Sequence, residues 1–253
     1  AALAAPAAAA AGEPALAVPA GTPEQVVFDW DKDRCAKTDI PDAPPRAFRD
    51  FAGRVHLLAT HRDNRAFVGP DFDHLAHPCA IIYEGAGSAA PAAFDDRQWL
   101  AAFQTDDGRT IHALVHNEFQ GDTHPGLCPS GSYMACWYNA ITYALSTDGG
   151  ASFTAPAAPG NVVVAPPVPY RPDAGRPVGY FQPTNIVRKD GAWYFMFLSS
   201  GIAGGPGGVC VARTADIADP SSWRAWDGKG FDARLAGAYA GGRPAACAPV
   251  GRG

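Results

Sequence analysis

Two carboxylates stand next to predicted strands at positions from which they could act on one bond. Asp42 precedes the strand-like run Arg46–Arg49, and Glu118 follows the apolar run Ala113–Val115. Hydrolysis of a glycosidic bond needs such a pair, one carboxyl group to protonate the leaving oxygen and one to act as base or nucleophile. We therefore predict Asp42 and Glu118 as the catalytic pair, with Asp96 as a carboxylate in reserve. The apolar strand before Glu118 predicts a desolvated carboxyl group, which would suit the acid role.

Basic, aromatic and amide side chains accompany these carboxylates. Arginines can hold the carboxylate of an acidic sugar through two parallel hydrogen bonds, and aromatic rings can stack on sugar rings. The predicted arginine contacts are Arg46, Arg65 and Arg97. The other predicted substrate-binding residues are His116, Asn117, Trp137, Tyr138, Tyr180, Gln182 and Asn185. The alternative is that the charged groups pair with one another and only stabilise the loops.

Two other functions fit the same residues. A polysaccharide lyase would use His116 as base and Tyr138 as acid, with the arginines neutralising a uronate. A non-catalytic protein would bind the glycan without cleaving it. No metal ligand spacing is convincing, since the closest match, His74-x-x-His77, is typical of a surface turn. We predict neither a metal nor a cofactor.

Short strand-like runs bounded by Gly, Pro and Asp must position these residues, because helical periodicity is nearly absent. Three stretches share one layout, in which a short strand, a tight glycine turn and a more apolar strand follow one another. They are 46–59, 98–115 and 184–197. Two more candidate strands follow each hairpin, at 65–68 and 80–83, at 139–145 and 161–164, and at 209–212 and 223–226. Four antiparallel strands repeated around an axis predict an all-β fold, a β-propeller, with a β-sandwich as the alternative.

One motif lies within the second of these stretches. Residues Ser146–Phe153, with the sequence STDGGASF, match the Asp-box pattern S-x-D-x-G-x-[S/T]-[W/F]. The Asp carboxylate can accept backbone N–H groups inside a tight turn, glycine can take a left-handed conformation and the aromatic ring can fill the space between blades. The chain thus resembles Asp-box propellers, of which sialidases are the best-known enzymes.

The hairpins carry a second resemblance. Residues 42–59 and 182–197 resemble blades of the five-bladed furanosidase-like glycoside hydrolases, which open with an acidic residue, a proline, a strand, a glycine turn and an aromatic strand. Gln182 stands where those enzymes often carry a Glu before Pro. Both resemblances imply a protein that acts on carbohydrate or polysaccharide, with glycoside hydrolase as the expected activity.

Propeller topology predicts which loops share a face with the site. The connection into the first strand of each blade and the connection from its second to its third strand lie on one face. The candidate residues fall on these connections, at 39–46, 61–65, 95–97, 116–120 and 180–185, with 137–139 at the end of the long loop that follows 116–120. The Asp-box turn would join a third and a fourth strand, so Asp148 is predicted on the opposite face.

Composition narrows the partners. The formal net charge is −5 without a basic block, which argues against nucleic acid. No run of about 18 bulky apolar residues predicts a membrane span. We expect a monomer.

The six cysteines, an even number, favour disulfides in a secreted or periplasmic protein. Six cysteines allow 15 connectivities, and buried free thiols are the alternative. We predict the pairs Cys35–Cys79, Cys128–Cys136 and Cys210–Cys247, of which the middle pair is best supported because it closes a short loop.

The predicted domain organisation has two parts. Residues 1–22 are Ala- and Pro-rich and predict a signal remnant or linker, and residues 23–253 predict the propeller. Three blades are fewer than the four that a closed propeller typically needs. We therefore predict a partial propeller of three to five blades, with 247–250 as the first strand of a further blade and 26–29 in the closing one.

Overall fold

The computed structural model describes residues 21–59, 61–202, 205, 207–241 and 245–252. Their regular secondary structure is almost entirely β, which confirms the predicted fold class; α-helix is assigned within the described residues only to Trp30–Asp33. Four short 3-10 turns lie at Pro91–Ala93, Gly121–Thr123, Tyr133–Ala135 and Pro220–Ser222. No helix of the described ranges has the length and apolarity needed to cross a membrane. The predicted N-terminal segment lies outside the described residues, except for residues 21 and 22.

The first unit is a small antiparallel sheet. It contains β1 (Arg46–Arg49), β2 (Val55–Leu58) and β3 (Ala66–Gly69) in that order. The predicted fourth strand at 80–83 is reduced to a single bridge between Arg65 and Ile81. The hairpin of β1 and β2 forms as the sequence predicts, with Phe48 opposite His56.

The second unit has four antiparallel strands. They are β4 (Arg97–Gln104), β5 (Ile111–Gln120), β6 (Trp137–Ser146) and β7 (Val162–Val164). The predicted positions are confirmed, but the prediction that 116–120 and 137–138 lie on loops is wrong. β5 continues to Gln120 and β6 already begins at Trp137, ten residue pairs in continuous register. The sequence-based boundary fell at the first polar residue, although these polar side chains satisfy one another inside the sheet.

The third unit follows an additional strand. β8 (Val178–Phe181) precedes β9 (Val187–Lys189), β10 (Ala192–Ser199), β11 (Gly208–Thr214) and β12 (Arg224–Ala225). The loop predicted at 180–181 is therefore a strand. β8 pairs parallel with β6 and antiparallel with β10, and it joins the second and third units into one nine-stranded sheet.

Two predicted strands at the ends of the propeller are absent. Residues 26–29 form no strand, and they precede the short helix. The segment at 247–250 is not assigned as a strand, and it lies against the third unit. Val209 donates to the carbonyl of Gly251, and Val250 donates back to the carbonyl of Val209. These two hydrogen bonds attach the segment to the edge of β11 without forming a regular strand.

The Asp-box turn has the local geometry that its sequence predicts. Asp148 Oδ1 accepts the Ser152 N–H at 3.0 Å. Gly149 has a φ of +77°, and Phe153 is buried. The turn follows the C-terminal end of β6, whereas Trp137 begins that strand, so Asp148 lies at the opposite end of the strand from Trp137.

Aromatic residues fill the spaces between the units. Between the first and second units, the Phe48 ring lies 5.0 Å from that of Phe103 and 6.5 Å from that of Phe153. Between the second and third units, a larger cluster includes the fully buried Phe195 and Trp223. Burying one large apolar side chain contributes about 1.5–3 kcal/mol, so these interfaces stabilise the packing of the units.

Three disulfides connect the predicted pairs, Cys35–Cys79, Cys128–Cys136 and Cys210–Cys247. No free cysteine remains among the described residues. The third disulfide ties β11 to the segment that pairs along its edge. The predicted connectivity is confirmed.

Asp50 lies in the turn of the first hairpin, and its carboxyl group makes the free energy of unfolding depend on pH in the acid range. Burial by itself raises the pKa of the Asp50 carboxyl, but hydrogen bonds from His56 and from the Arg54 backbone and side chain outweigh burial and lower it to about 2. The unfolded-state value is 3.8. A lowered pKa in the folded state stabilises the protein above the unfolded value, and the contribution is lost as pH falls from about 4 to 2.

We therefore expect Asp50→Asn to lower the free energy of unfolding at neutral pH by about 2 kcal/mol, the equivalent of the shift at about 1.4 kcal/mol per pKa unit. The variant should also flatten the pH dependence between pH 4 and 2. Urea unfolding at several pH values measures both effects. Asp73→Asn, which changes an exposed carboxylate, is the matched control. Equal effects of the two substitutions would contradict this role.

Candidate active site

A small cavity collects residues from all three units. Its volume is about 160 Å³, which is smaller than the roughly 300–1,000 Å³ of pockets for drug-sized ligands. Five predicted site residues line it, and they are Asp42, His116, Glu118, Trp137 and Gln182. Asp42 and Glu118 both lie in this lining.

Glu118 is buried in the wall of the cavity with a donor near each carboxylate oxygen. His116 Nε2 lies 2.9 Å from Oε1, and Gln120 Nε2 donates to Oε2 at 2.8 Å. All three residues lie on β5 at alternate positions, and side chains alternate in direction along a strand, so they share one face. Two donors on one carboxyl group match an ionised acceptor.

The backbone fixes the tautomer of His116. The Gln182 N–H donates to Nδ1 at 3.0 Å, so Nδ1 carries no proton in the neutral ring and Nε2 carries it. The Nε2–H therefore points at Glu118. Asn139 Nδ2 is also 3.0 Å from Nε2, but with Nε2 protonated this contact between two donors is not a hydrogen bond. Gln182 aims its N–H from a left-handed backbone conformation, with a φ of +46°.

Asp42 contributes the second carboxylate from the loop before β1. Its side chain is 46% exposed, and Oδ2 lies 3.4 Å from His61 Nε2. Asp42 and Glu118 differ in environment, because Glu118 is nearly enclosed while Asp42 stands at the rim. Such a difference lets two carboxyl groups take different roles.

Aromatic rings form most of the remaining wall. Trp137 packs against Phe181 with ring centroids 5.7 Å apart and against Tyr133 at 5.0 Å. Trp99 closes the inner side and contacts His116 edge to face at 5.8 Å. Of these four residues only Trp137 was predicted.

Tyr133 was not predicted as a site residue, although its position in a short loop between two cysteines could have indicated it. It lies in the short loop that the Cys128–Cys136 disulfide closes, immediately before Trp137. Burial raises the pKa of the Tyr133 hydroxyl, and the negative charges of Glu118 and Asp42 raise it further. The Tyr133 hydroxyl is therefore within electrostatic reach of both carboxylates.

Several predicted site residues lie elsewhere. Asp96 accepts the Gln120 N–H at 2.9 Å and pairs with His124 at 3.0 Å, so it holds the end of β5 instead of facing the cavity. Arg65 pairs with Asp39 and Asp63, as the alternative of mutual pairing predicts. Asp96 and Arg65 are both buried.

Arg97 and Arg46 are also outside the cavity wall. Arg97 lines a neighbouring depression. Arg46 donates to the Pro45 carbonyl, and burial lowers the pKa of its guanidinium.

The other predicted binding residues occupy structural positions. The Tyr138 hydroxyl donates to the Val168 carbonyl, and Tyr180 is buried against Phe197. Asn117 is buried and lies on the opposite face of β5 from His116 and Glu118. Asn185 is exposed, outside the cavity lining. Tyr138 and Tyr180 were predicted on loops, but they belong to β6 and β8, which explains their burial.

No protein-family model and no curated protein sequence matches the chain. Among solved structures, the chain is similar to a β-1,2-mannobiose phosphorylase from Listeria innocua, at 14% identity and a TM-score of 0.42 over 76% of this chain and 45% of that one. A Bombyx mori GH32 β-fructofuranosidase matches at 19% identity and a TM-score of 0.43, over 75% of this chain and 35% of the enzyme. An α-L-arabinofuranosidase from Clostridium thermocellum matches at 16% identity and a TM-score of 0.40, over 74% and 54%.

The chain thus spans between 35% and 54% of the length of these three proteins. Two of them are furanosidases by name. At such identities and TM-scores, the chemistry of the cavity rests on its own side chains.

The hydrogen bond from Gln182 predicts a measurable state of His116. In protein with ¹⁵N-labelled histidine, we expect the His116 Nδ1 signal of an unprotonated nitrogen and the Nε2 signal of a protonated one at pH 8. Glu118→Gln should keep this tautomer, because the Gln182 N–H is unchanged. His112, whose Nδ1 lies 2.6 Å from the Tyr143 hydroxyl, serves as an internal comparison. A protonated Nδ1 in His116 would contradict the assignment.

Proposed function

We propose that the protein hydrolyses a glycosidic bond in this cavity, with Glu118 as the base or nucleophile and Asp42 as the proton donor. The observation that carries the proposal is the placement of these two carboxylates on one small cavity with aromatic walls. Glycoside hydrolysis requires two such carboxyl groups in different protonation states.

The hydrogen bonds of Glu118 support its role. His116 and Gln120 each direct a donor at one carboxylate oxygen, which stabilises the negative charge that a base or nucleophile needs. The acid role that the sequence suggested for Glu118 is therefore reassigned.

Asp42 then supplies the proton. It stands at the half-exposed rim of the cavity, where a leaving group would depart. His61, 3.4 Å away, holds the side chain beside the cavity. Proton donation of this kind contributes typically 10²–10⁴-fold in rate.

The cavity size and walls support a sugar as the reacting group. A volume of about 160 Å³ gives room for one sugar ring. Trp137 and Phe181 offer apolar surfaces on which the C–H face of such a ring can stack, while Gln182 and Tyr133 supply polar groups. This mixture of apolar walls with few polar groups is common in small-molecule sites.

The lyase alternative is less well supported. Its predicted acid, Tyr138, is buried, and its hydroxyl is bonded to Val168. Its predicted base, His116, has contacts at both ring nitrogens. Non-catalytic glycan binding remains the second candidate, because the aromatic walls alone could provide it.

We place this activity outside the cytosol. Three disulfides in a chain of this size fit an oxidising compartment such as the periplasm or the extracellular space. A monomeric state and the absence of a nucleic-acid partner stay predictions.

Leaving-group dependence separates the roles of the two carboxylates. On a panel of nitrophenyl glycosides and natural disaccharides, we expect Glu118→Gln to lose at least 10³-fold in kcat/KM on every cleaved substrate. Asp42→Asn should lose as much on natural disaccharides but far less on nitrophenyl glycosides, since a nitrophenolate departs without protonation.

Glu84→Gln is the matched control, because Glu84 is exposed and lines a different depression. Circular dichroism of each variant checks folding. Wild-type protein that cleaves none of the panel, or a Glu118→Gln variant with full activity, would contradict the proposal. Glycan affinity without turnover would favour the binding alternative.

A further inference from the structure

A second depression adjoins the cavity. Its volume is about 630 Å³, and it shares Trp137 and Phe181 with the cavity at Glu118. The two spaces therefore meet along one pair of packed rings. A ligand that fills the cavity can continue across these rings, whereas the cavity itself holds no more than one sugar ring.

The second depression has the chemistry of a sugar-binding surface with one charge. Leu198, 38% exposed, gives it an apolar floor beside the shared rings, and Ser199 and Ser200 line it with polar groups. Its charged lining, within the described part of the chain, consists of Arg252. No carboxylate of the described residues forms an ion pair with Arg252, which is exposed.

The wall beside Arg252 is held in place. Arg176 donates to the carbonyls of Ser200 and Gly201, and the Gly179 N–H donates to the Ser200 hydroxyl at 3.0 Å. The charge of Arg176 is thus committed to the backbone. Arg252 remains as the cation that faces a ligand.

The other depression with arginines is less suitable for an anion. Arg62 and Arg97 line it together with Asp63, Glu84 and Asp96. Carboxylates next to the arginines offset their field. An anionic group therefore favours the surface at Arg252.

We infer that the protein takes an acidic oligosaccharide, with one sugar ring in the cavity at Glu118, the next rings across Trp137 and Phe181, and a uronate carboxylate on Arg252. This inference rests on the proposed function for the identity of the ligand as a glycan. It goes further by assigning a chain length greater than one ring and a negative charge at the distal end. A guanidinium can hold a carboxylate through two hydrogen bonds.

Calorimetric binding tests the inference without turnover. The probes are oligogalacturonates, alginate oligosaccharides and glucuronic-acid-bearing xylo-oligosaccharides of one to five units, each with its methyl ester. We expect at least one acidic series to bind about tenfold tighter than its ester, because only the free carboxylate offers Arg252 a charged hydrogen-bond acceptor. Affinity should rise from one to three units.

Arg252→Gln should remove the preference for the acid over the ester, while Arg109→Gln should keep it. Arg109 is exposed on the hairpin between β4 and β5, at the opposite end of β5 from Glu118. Trp137→Ala should weaken acid and ester alike, and Trp137→Phe should restore most of the affinity. Thermal unfolding of each variant confirms that it is folded.

Several results would overturn the inference. They are equal affinity for acid and ester, a preference that survives in Arg252→Gln, affinity that does not rise with length, and no binding of any acidic probe. The proposed function is judged separately, by hydrolysis of the same probes. Hydrolysis without an acid preference would remove the role of Arg252 alone, whereas an Arg252-dependent preference without hydrolysis would remove the catalytic proposal alone.

Discussion

The burial of three polar side chains on β5 is the constraint on which the site depends. His116, Glu118 and Gln120 are each less than 10% exposed, and a buried polar group without a partner costs about 1–3 kcal/mol. Their partners come partly from one another and partly from other segments. The Gln182 N–H reaches His116 from beyond β8, and Asp96 reaches the Gln120 N–H from before β4. The hydrogen bonds that these β5 residues need therefore hold in place the segment after β8 and the segment before β4.

The strand β8 supplies the partner on one side. It pairs in parallel with β6, with Gly179 opposite Asn139. Gly179 has a φ of +145°, and a Cβ atom at this position would collide with the Asn139 backbone. This close approach carries Phe181 and Gln182 to the cavity. Gly179 thus allows β8 to pair with β6, and this pairing places the Gln182 N–H that fixes the tautomer of His116.

Much of the fold could be predicted from the sequence, whereas the site could be predicted only in part. Glycine turns and apolar runs marked the hairpins, since their local chemistry determines them, and the short loop of the Cys128–Cys136 disulfide followed the same local logic. The polar end of β5 could not be predicted, because a run such as His116–Gln120 forms a strand only when distant partners satisfy its side chains. Tyr138 and Asp96 have the chemistry of site residues, but their burial depends on neighbours far along the chain. Tyr133 was not predicted, because its place in the cavity depends on the Cys128–Cys136 loop, which brings its ring beside Trp137.

The lining of the cavity spans the chain from Asp42 to Pro183, so no single unit contains the site. Formation of the cavity requires that the three units have already packed together, and contacts between residues so distant in sequence form slowly during folding. A ligand held there binds the fully packed state and not the separate units. By mass action it would shift the unfolding equilibrium of all three units at once, which makes occupancy of a small cavity a determinant of the cooperativity of the whole chain.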